Sequence, residues 1–312
     1  VAFTGEPRRG CDAVGPKRNN PCSIPDLDAI SRANFIHTID RKTELVNITV
    51  GVHDFVSARP LIFGLTRRQA PEVELVYQEP AILAESLRHG RLNAALIPAI
   101  EFLRGVGTYF LDGPALVARP SAGSLLLVSR GPADCVERIA VGEHSRSPVA
   151  ATRIVLAEKY GVTPDLCVFK NLHGDWREHY DGVLLTGDLG LQYLADRPDP
   201  ELTVTNITAL WEELTSLPLV LSLWVFDDKD LAGQITKIMV LSRNLGLQNL
   251  SLLADGISLT SPFNSEMVYD YLTNCWDYQL TADALQGLRK FEELAIKYDL
   301  IRQARLSGVT MV

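Results

Sequence analysis

Three short polar clusters in this 312-residue chain group side chains able to do chemistry, and each lies just beyond an apolar run. The first is His53-Asp54-Phe55-Val56-Ser57-Ala58-Arg59, behind Ile48, Val50 and Val52 and just before Pro60. The second is Ser145-Arg146-Ser147, behind Ile139–Val141 and just before Pro148. The third is Thr186-Gly187-Asp188, behind Gly182–Leu185. Ser124, at the head of the run Leu125-Leu126-Leu127-Val128, is a fourth candidate. A buried strand ending in a polar loop that runs into a helix is where α/β proteins place ligand sites. Hydroxyls beside the free N–H groups of a helix start suit a small anion, above all a carboxylate. Each residue also has an ordinary structural role open to it: Ser147 as a helix cap, Asp188 as the first residue of its helix, Ser124 as a strand-end hydroxyl, His144 as a surface side chain.

Composition narrows the choices. The net charge of −8 and the absence of a basic run argue against nucleic acid, because no surface is left to neutralise phosphates. An anionic ligand must therefore be held by local donors against the field of the whole chain. No run approaches the ~20 apolar residues of a membrane span. The first residues lack the apolar core of a secretory signal. Five cysteines, at 11, 22, 135, 167 and 275, form no Cys-x-x-Cys and no zinc spacing, so free thiols in a reducing cytoplasm are expected. His173 and His179 are a weak metal pair. No glycine-rich dinucleotide fingerprint, phosphate loop or serine-hydrolase elbow is present.

The clusters need elements to hold them. Residues 1–44, rich in Gly, Pro, Asn and Arg and without periodicity, read as a disordered tail. From Leu45, strands at 48–52, 73–77, 92–97, 109–117 and 124–129 alternate with helices opened by Pro80 and by Pro98. That rhythm predicts mainly parallel pairing. A second unit follows, with strands at 139–141, 167–169 and 182–186 and a helix from Ser147-Pro148 to Gly161. The apolar stretch 218–226 returns to the first unit, and the remainder is helical. The fold class is α/β: a two-lobed clamshell like the type II periplasmic binding proteins, with mixed sheets and a helical C-terminal portion. Lobe 1 takes residues 45–132 and 222–312, and lobe 2 takes 133–221. The ligand of such a clamshell lies between the lobes.

Seven collinear blocks between about Ile48 and Ile301 resemble the chorismate dehydratases of menaquinone biosynthesis by the futalosine route. The opening S-Y-L-N-A-R/K-P-L-I-Y-G-L corresponds to Asp54–Leu65, and A-L-I-P-S-I-E-Y to Ala95–Phe102. S-V-L-L-F-S corresponds to Ser124–Ser129, S-R-T-S to Ser145–Pro148, and L-L-I-G-D to Leu184–Asp188. W-x-x-L-T-G-L-P-F-V-F-A-V-W corresponds to Trp211–Trp224, and Y-L-T-x-x-x-x-Y to Tyr271–Tyr278. The family's turn asparagine is Ser57 here, the serine before its aromatic is Asp54, and its helix-start serine is Pro148. A sister family, the 1,4-dihydroxy-6-naphthoate synthases, opens with S-P-C-P-N-D, which this chain lacks. A solute-binding protein for a small carboxylate is the non-enzymatic alternative on the same clamshell.

The resemblance implies a cytoplasmic lyase that removes water from chorismate to give 3-[(1-carboxyvinyl)oxy]benzoate. Aromatisation drives the reaction, so no metal, redox group or other cofactor is implied. On this reading Ser57, Asp54 and Asp188 are the catalytic candidates. Ser124, Ser145, Arg146, Ser147, Arg59 and Gly187 bind the substrate, with Ser145 and Ser147 on one carboxylate. His53 and Asp54 are the titratable pair of the first loop, and a substrate carboxylate is the alternative proton acceptor.

Overall fold

Pairing of the apolar runs decides the architecture. The computed structural model describes residues 47–66, 72–123, 125–170, 172, 176–196, 199–308 and 311–312. The tail expected over 1–44, Ser124 and His173 lie outside the described residues. The first sheet contains β1 (Ile48–Val52), β2 (Val73–Tyr77), β3 (Ala94–Pro98), β4 (Tyr109–Ala118), β10 (Leu219–Phe226) and β11 (Trp276–Asp277), in the order β11-β4-β10-β3-β1-β2. The second contains β5 (Leu125–Ser129), β6 (Arg138–Val141), β7 (Asp165–Val168), β8 (Gly182–Thr186) and β9 (Thr203–Asn206), in the order β7-β6-β8-β5-β9.

Parallel pairing is confined to half of each sheet. β1 runs parallel to β2 and β3, and β6 parallel to β7 and β8. β10 is antiparallel to both β3 and β4, and β5 to both β8 and β9. The expectation of mainly parallel pairing therefore fails for the strands next to the chain crossings. A strand that enters from the other lobe arrives at the ligand end of its sheet and must run against its neighbours. The lobe boundaries shift for the same reason. Leu125–Ser129 pairs with β8 and β9, so the first crossing precedes residue 125, not residue 133. The second crossing lies between Thr215 and Leu219, since all of β10 belongs to the first sheet.

Helices cover both sheets. In the first lobe these are α1 (Arg59–Thr66), α2 (Pro80–Arg88) and α3 (Ala99–Leu103). Around the second sheet lie α4 (Arg146–Tyr160), α5 (Asp188–Ala195) and α6 (Ile207–Thr215). The C-terminal part supplies α7 (Ala232–Gln248), α8 (Leu250–Ser258), α9 (Ser265–Asn274) and α10 (Ala282–Lys297). Helix α10 shows why such a segment folds: Thr281 Oγ1 accepts the Ala284 N–H at 3.2 Å, and Ala284, Leu288, Phe291 and Ala295 repeat at helical spacing and are all buried. Helix α6 is capped by Asn206, whose Oδ1 accepts the N–H groups of Thr208 and Ala209. Among the described residues no helix is long and apolar enough to cross a membrane.

Helix α1 carries the first polar loop at its N-terminal end and is pinned from behind by α7. Ser242 Oγ accepts the N–H of Gly64 at 3.0 Å and donates to the Leu61 carbonyl at 2.8 Å. One turn on, Gly246 lies so close to Pro60 that a Cβ there would stand 2.0 Å from the Pro60 carbonyl oxygen. Only a glycine permits that approach, so the α1–α7 contact fixes where residues 53–59 sit.

Candidate active site

The carboxyl ends of β1, β3, β6 and β8 converge on one cleft of about 620 Å³, open to solvent. This is where an α/β sheet leaves backbone groups and loop side chains free for a ligand. The first lobe contributes His53, Phe55 and Ser57 from the loop after β1, and Glu79 and Pro80 from the start of α2. Its floor is apolar: Pro98, Leu116, Leu221 and Trp276. The second lobe contributes His144, Ser145, Arg146 and Pro148 around the start of α4, together with Leu125, Thr186 and Gly187.

A bulge shapes the floor. Val220 pairs with Val117 and Ser222 with Leu116, so two residues of β10 advance against one of β4. A regular strand would alternate faces, whereas the bulge lets the neighbours Leu221 and Ser222 both line the cleft. Ser147 completes this arrangement from the second lobe. Its hydroxyl donates to the Leu221 carbonyl at 2.9 Å and accepts the Ile100 N–H at 3.3 Å. Ser147 is fully buried and does not line the cleft. Neither the carboxylate contact nor the capping role expected of it holds, because its hydroxyl is spent joining α4 to β10 and α3. The helix start falls two residues earlier than Ser147 as cap and Pro148 as first helical residue predict, at Arg146, with Ser145 in the cap position. The Ser145 hydroxyl makes no cap bond and instead shares a 2.9 Å hydrogen bond with Thr186 Oγ1 at the cleft wall.

The remaining expected residues divide between cleft and support. Ser57, Ser145, Arg146 and Gly187 line the cleft. Gly187 turns β8 into α5 with φ +59° and ψ −133°, a conformation essentially reserved for glycine, and faces Phe55 across the cleft. Asp54 and Arg59 do not line it. Their side chains pair with each other at 2.9 Å, and the Asp54 side chain is 57% exposed. Two successive residues of an extended loop point to opposite sides, so with His53 turned inward Asp54 turns out. Asp188 Oδ1 accepts the Val56 N–H at 3.0 Å, clasping the start of α5 to the loop after β1. Burial pushes the Asp188 carboxyl up to about 6, against the Val56 hydrogen bond and the Arg59 charge, which both lower it.

Two imidazoles line the cleft wall, His53 from the titratable pair of the first loop and His144. His53 is buried, and burial lowers its pKa to about 4, so the ring is neutral at pH 7. His144, expected at the surface, is half-buried, and its Nδ1 has no hydrogen-bond partner among the described residues. The signal for both was their place in the loop that follows a strand, His53 directly after β1 and His144 three residues beyond β6. Ser222 was also legible, as the single hydroxyl inside Leu219–Phe226. Trp276 carried no such signal, because only the pairing of β11 with β4 brings it to the floor. Among the described residues no group of three His, Cys, Asp or Glu side chains could hold a metal ion, and Cys135, Cys167 and Cys275 are free thiols.

Two α/β lobes with a ligand cleft at the strand ends define a periplasmic-binding-protein-like architecture, and solved structures agree. A protein of Archaeoglobus fulgidus superposes with a TM-score of 0.67 at 17% identity, covering 81% of this chain and 98% of that one. The alkanesulfonate-binding protein from Xanthomonas axonopodis pv. citri, bound to MOPS, gives 0.62 at 14% identity, covering 84% and 96%. At these identities the likeness concerns the fold. The family model described as menaquinone biosynthesis matches residues 48–297, and the chain belongs to that family. A chorismate dehydratase of Thermus thermophilus is 24% identical over 262 residues, spanning 75% of this chain and 95% of that protein.

Proposed function

We propose that this protein is a chorismate dehydratase, a hydro-lyase that converts chorismate to 3-[(1-carboxyvinyl)oxy]benzoate. The observation that carries the reading is the cleft's division of labour, in a chain whose dehydratase relative aligns over nearly its whole length. The first lobe offers an apolar floor, Leu116, Leu221 and Trp276, suited to a ring that becomes aromatic. The second offers Arg146, the Ser145 hydroxyl and the positive end of the 15-residue helix α4, suited to a carboxylate. Ser57 and Ser222 bring hydroxyls to the first-lobe wall, where the ring hydroxyl must depart. Holding the dianion so that the breaking C–H and C–O bonds face these groups is the main catalytic task, since aromatisation supplies the driving force.

The test is direct. Purified protein is mixed with chorismate, and the ultraviolet spectrum and product mass are followed. Growth of a benzoate spectrum with loss of one water supports the reading. Tight binding with no spectral change would instead make the protein a receptor for a small carboxylate.

A further inference from the structure

We infer that Trp276 binds the substrate, its indole N–H donating to the carboxylate of the bound dianion that lies farther from Arg146; the identity of that dianion rests on the dehydratase reading above. Trp276 lines the cleft and is 4% exposed. It pairs directly with Ala118 where β11 meets β4, and Leu116 lies two residues along β4. Directly paired residues share a face of a sheet, and so do residues two apart on one strand. The indole therefore stands on the cleft face with Leu116, and Tyr271 packs edge-on against it, ring centroids 5.7 Å apart. Its Nε1 is shielded from water and has no hydrogen-bond partner among the described residues. Trp211 and Trp224 carry unpartnered N–H groups too, but neither lines the cleft, so no solute reaches them. An indole N–H can only donate, so what Trp276 lacks is an acceptor, and the cleft is where one enters.

Charge decides which way the dianion lies. With one carboxylate on Arg146 of the second lobe, the other meets the first-lobe wall. Among the described residues that wall carries no cation. Arg59 and Arg119 are each paired with a carboxylate, Asp54 and Asp277, and neither lines the cleft. Burial keeps the His53 ring neutral. The wall does carry one acid, Glu79, in the residue before α2. Glu79 follows β2 at one edge of the first sheet, and Trp276 lies on β11 at the opposite edge. A carboxylate is repelled from the β2 edge and settles toward the β11 edge, where the indole N–H is the donor.

Ser57 and Ser222 also bring hydroxyls to this wall. A hydroxyl both donates and accepts, so it fits the ring hydroxyl as well as a carboxylate, whereas the indole fits an acceptor alone. The contact thus divides the wall: Trp276 receives the carboxylate, and the two serines are left for the ring hydroxyl. The indole neither gains nor loses a proton. Its hydrogen bond is made to a group that keeps its charge throughout the reaction, so it favours substrate and transition state alike.

The experiment compares wild-type protein with Trp276→Phe, which keeps an aromatic ring on the floor and removes the donor. KM for chorismate should rise about 10-fold while kcat stays within about threefold. A KM within about twofold of wild type overturns the inference and leaves the dehydratase reading intact. Wild-type protein that leaves chorismate unchanged overturns the dehydratase reading, and two probes then decide the contact without turnover. Isophthalate carries two carboxylates on a benzene ring, and benzoate carries one. Trp276→Phe should bind isophthalate about 10-fold more weakly than wild type does, and benzoate equally well. Equal losses for both probes mark damage to the floor and overturn the contact, as does wild-type protein that fails to bind isophthalate. A readout independent of whether the variant folds uses wild-type protein labelled with ¹⁵N at tryptophan. The Trp276 indole N–H resonance, assigned through the backbone, should move downfield as isophthalate binds, while those of Trp211 and Trp224 stay in place. A Trp276 resonance that does not move while isophthalate binds overturns the contact.

Discussion

Replacing Asp188 by asparagine should stabilise the protein at pH 8 and do nothing of the kind at pH 4.5. The carboxylate accepts the Val56 N–H at 3.0 Å, and an asparagine Oδ1 can take the same bond without a charge. Burial raises the carboxyl from 3.8 to about 6 in the folded protein. Between those values the folded state binds more protons than the unfolded one. The stability linked to this group is therefore complete below pH 3.8 and is lost as pH rises through about 6. At about 1.4 kcal/mol per tenfold change in proton affinity, ionised Asp188 costs about 3 kcal/mol at pH 8. The amide also brings an NH2 group whose two N–H donors need partners in a largely buried place, which leaves a gain of about 2 kcal/mol for the variant. In a chain of this size that corresponds to a rise of about 3 °C in Tm. Thermal melts of both proteins at the two pH values isolate the effect, because every other titrating group cancels in the difference. An equal difference at both pH values would show that the carboxyl titrates alike in the folded and unfolded chain, and a variant less stable at pH 8 than wild type would show that the fold favours the ionised carboxylate.

Other substitutions separate the cleft from its supports. Ser147→Ala should cost about 2 kcal/mol in urea melts, since the buried Ile100 N–H and Leu221 carbonyl both lose their partner, with KM for chorismate moving little. Arg146→Ala, at the mouth of the cleft, should raise KM for chorismate about 10-fold with stability nearly unchanged; a KM within twofold of wild type would remove Arg146 from the carboxylate site. Gly246→Ala should lower stability by about 3 kcal/mol, because its Cβ would enter the Pro60 carbonyl and push α7 away from α1. A melt within 1 °C of wild type would show that the two helices separate freely.

Much of the fold was legible because the strands are short apolar runs with sharp ends. The segments 73–77, 182–186 and the helix of Ala99–Leu103 fall where pattern alone puts them. Strand β9 and helix α6 escaped, since Thr203–Asn206 is too short and polar to stand out and is a strand only through its pairing with β5. In the site, the collinear blocks located the loops but not the direction of each side chain. That Asp54 turns out and His53 turns in depends on the phase in which β1 leaves the sheet. That Ser147 is spent on the Leu221 carbonyl depends on a bulge created by the pairing of β10 with β4. Both are consequences of long-range pairing, to which local sequence is blind.

The position of β10 has a consequence for how the chain is made. In the finished sheet it lies between β3 and β4, which come more than a hundred residues earlier and touch each other only through it. While the chain emerges from the ribosome, β3 and β4 must wait with unpaired edges until Phe226 is available. Within that interval the whole second sheet, Leu125 to Asn206, is made and can close on itself before Phe226 is available. The lobe that begins later is thus the one able to finish first. The exposed edges of β3 and β4 form the window in which a nascent chain of this topology most needs a chaperone.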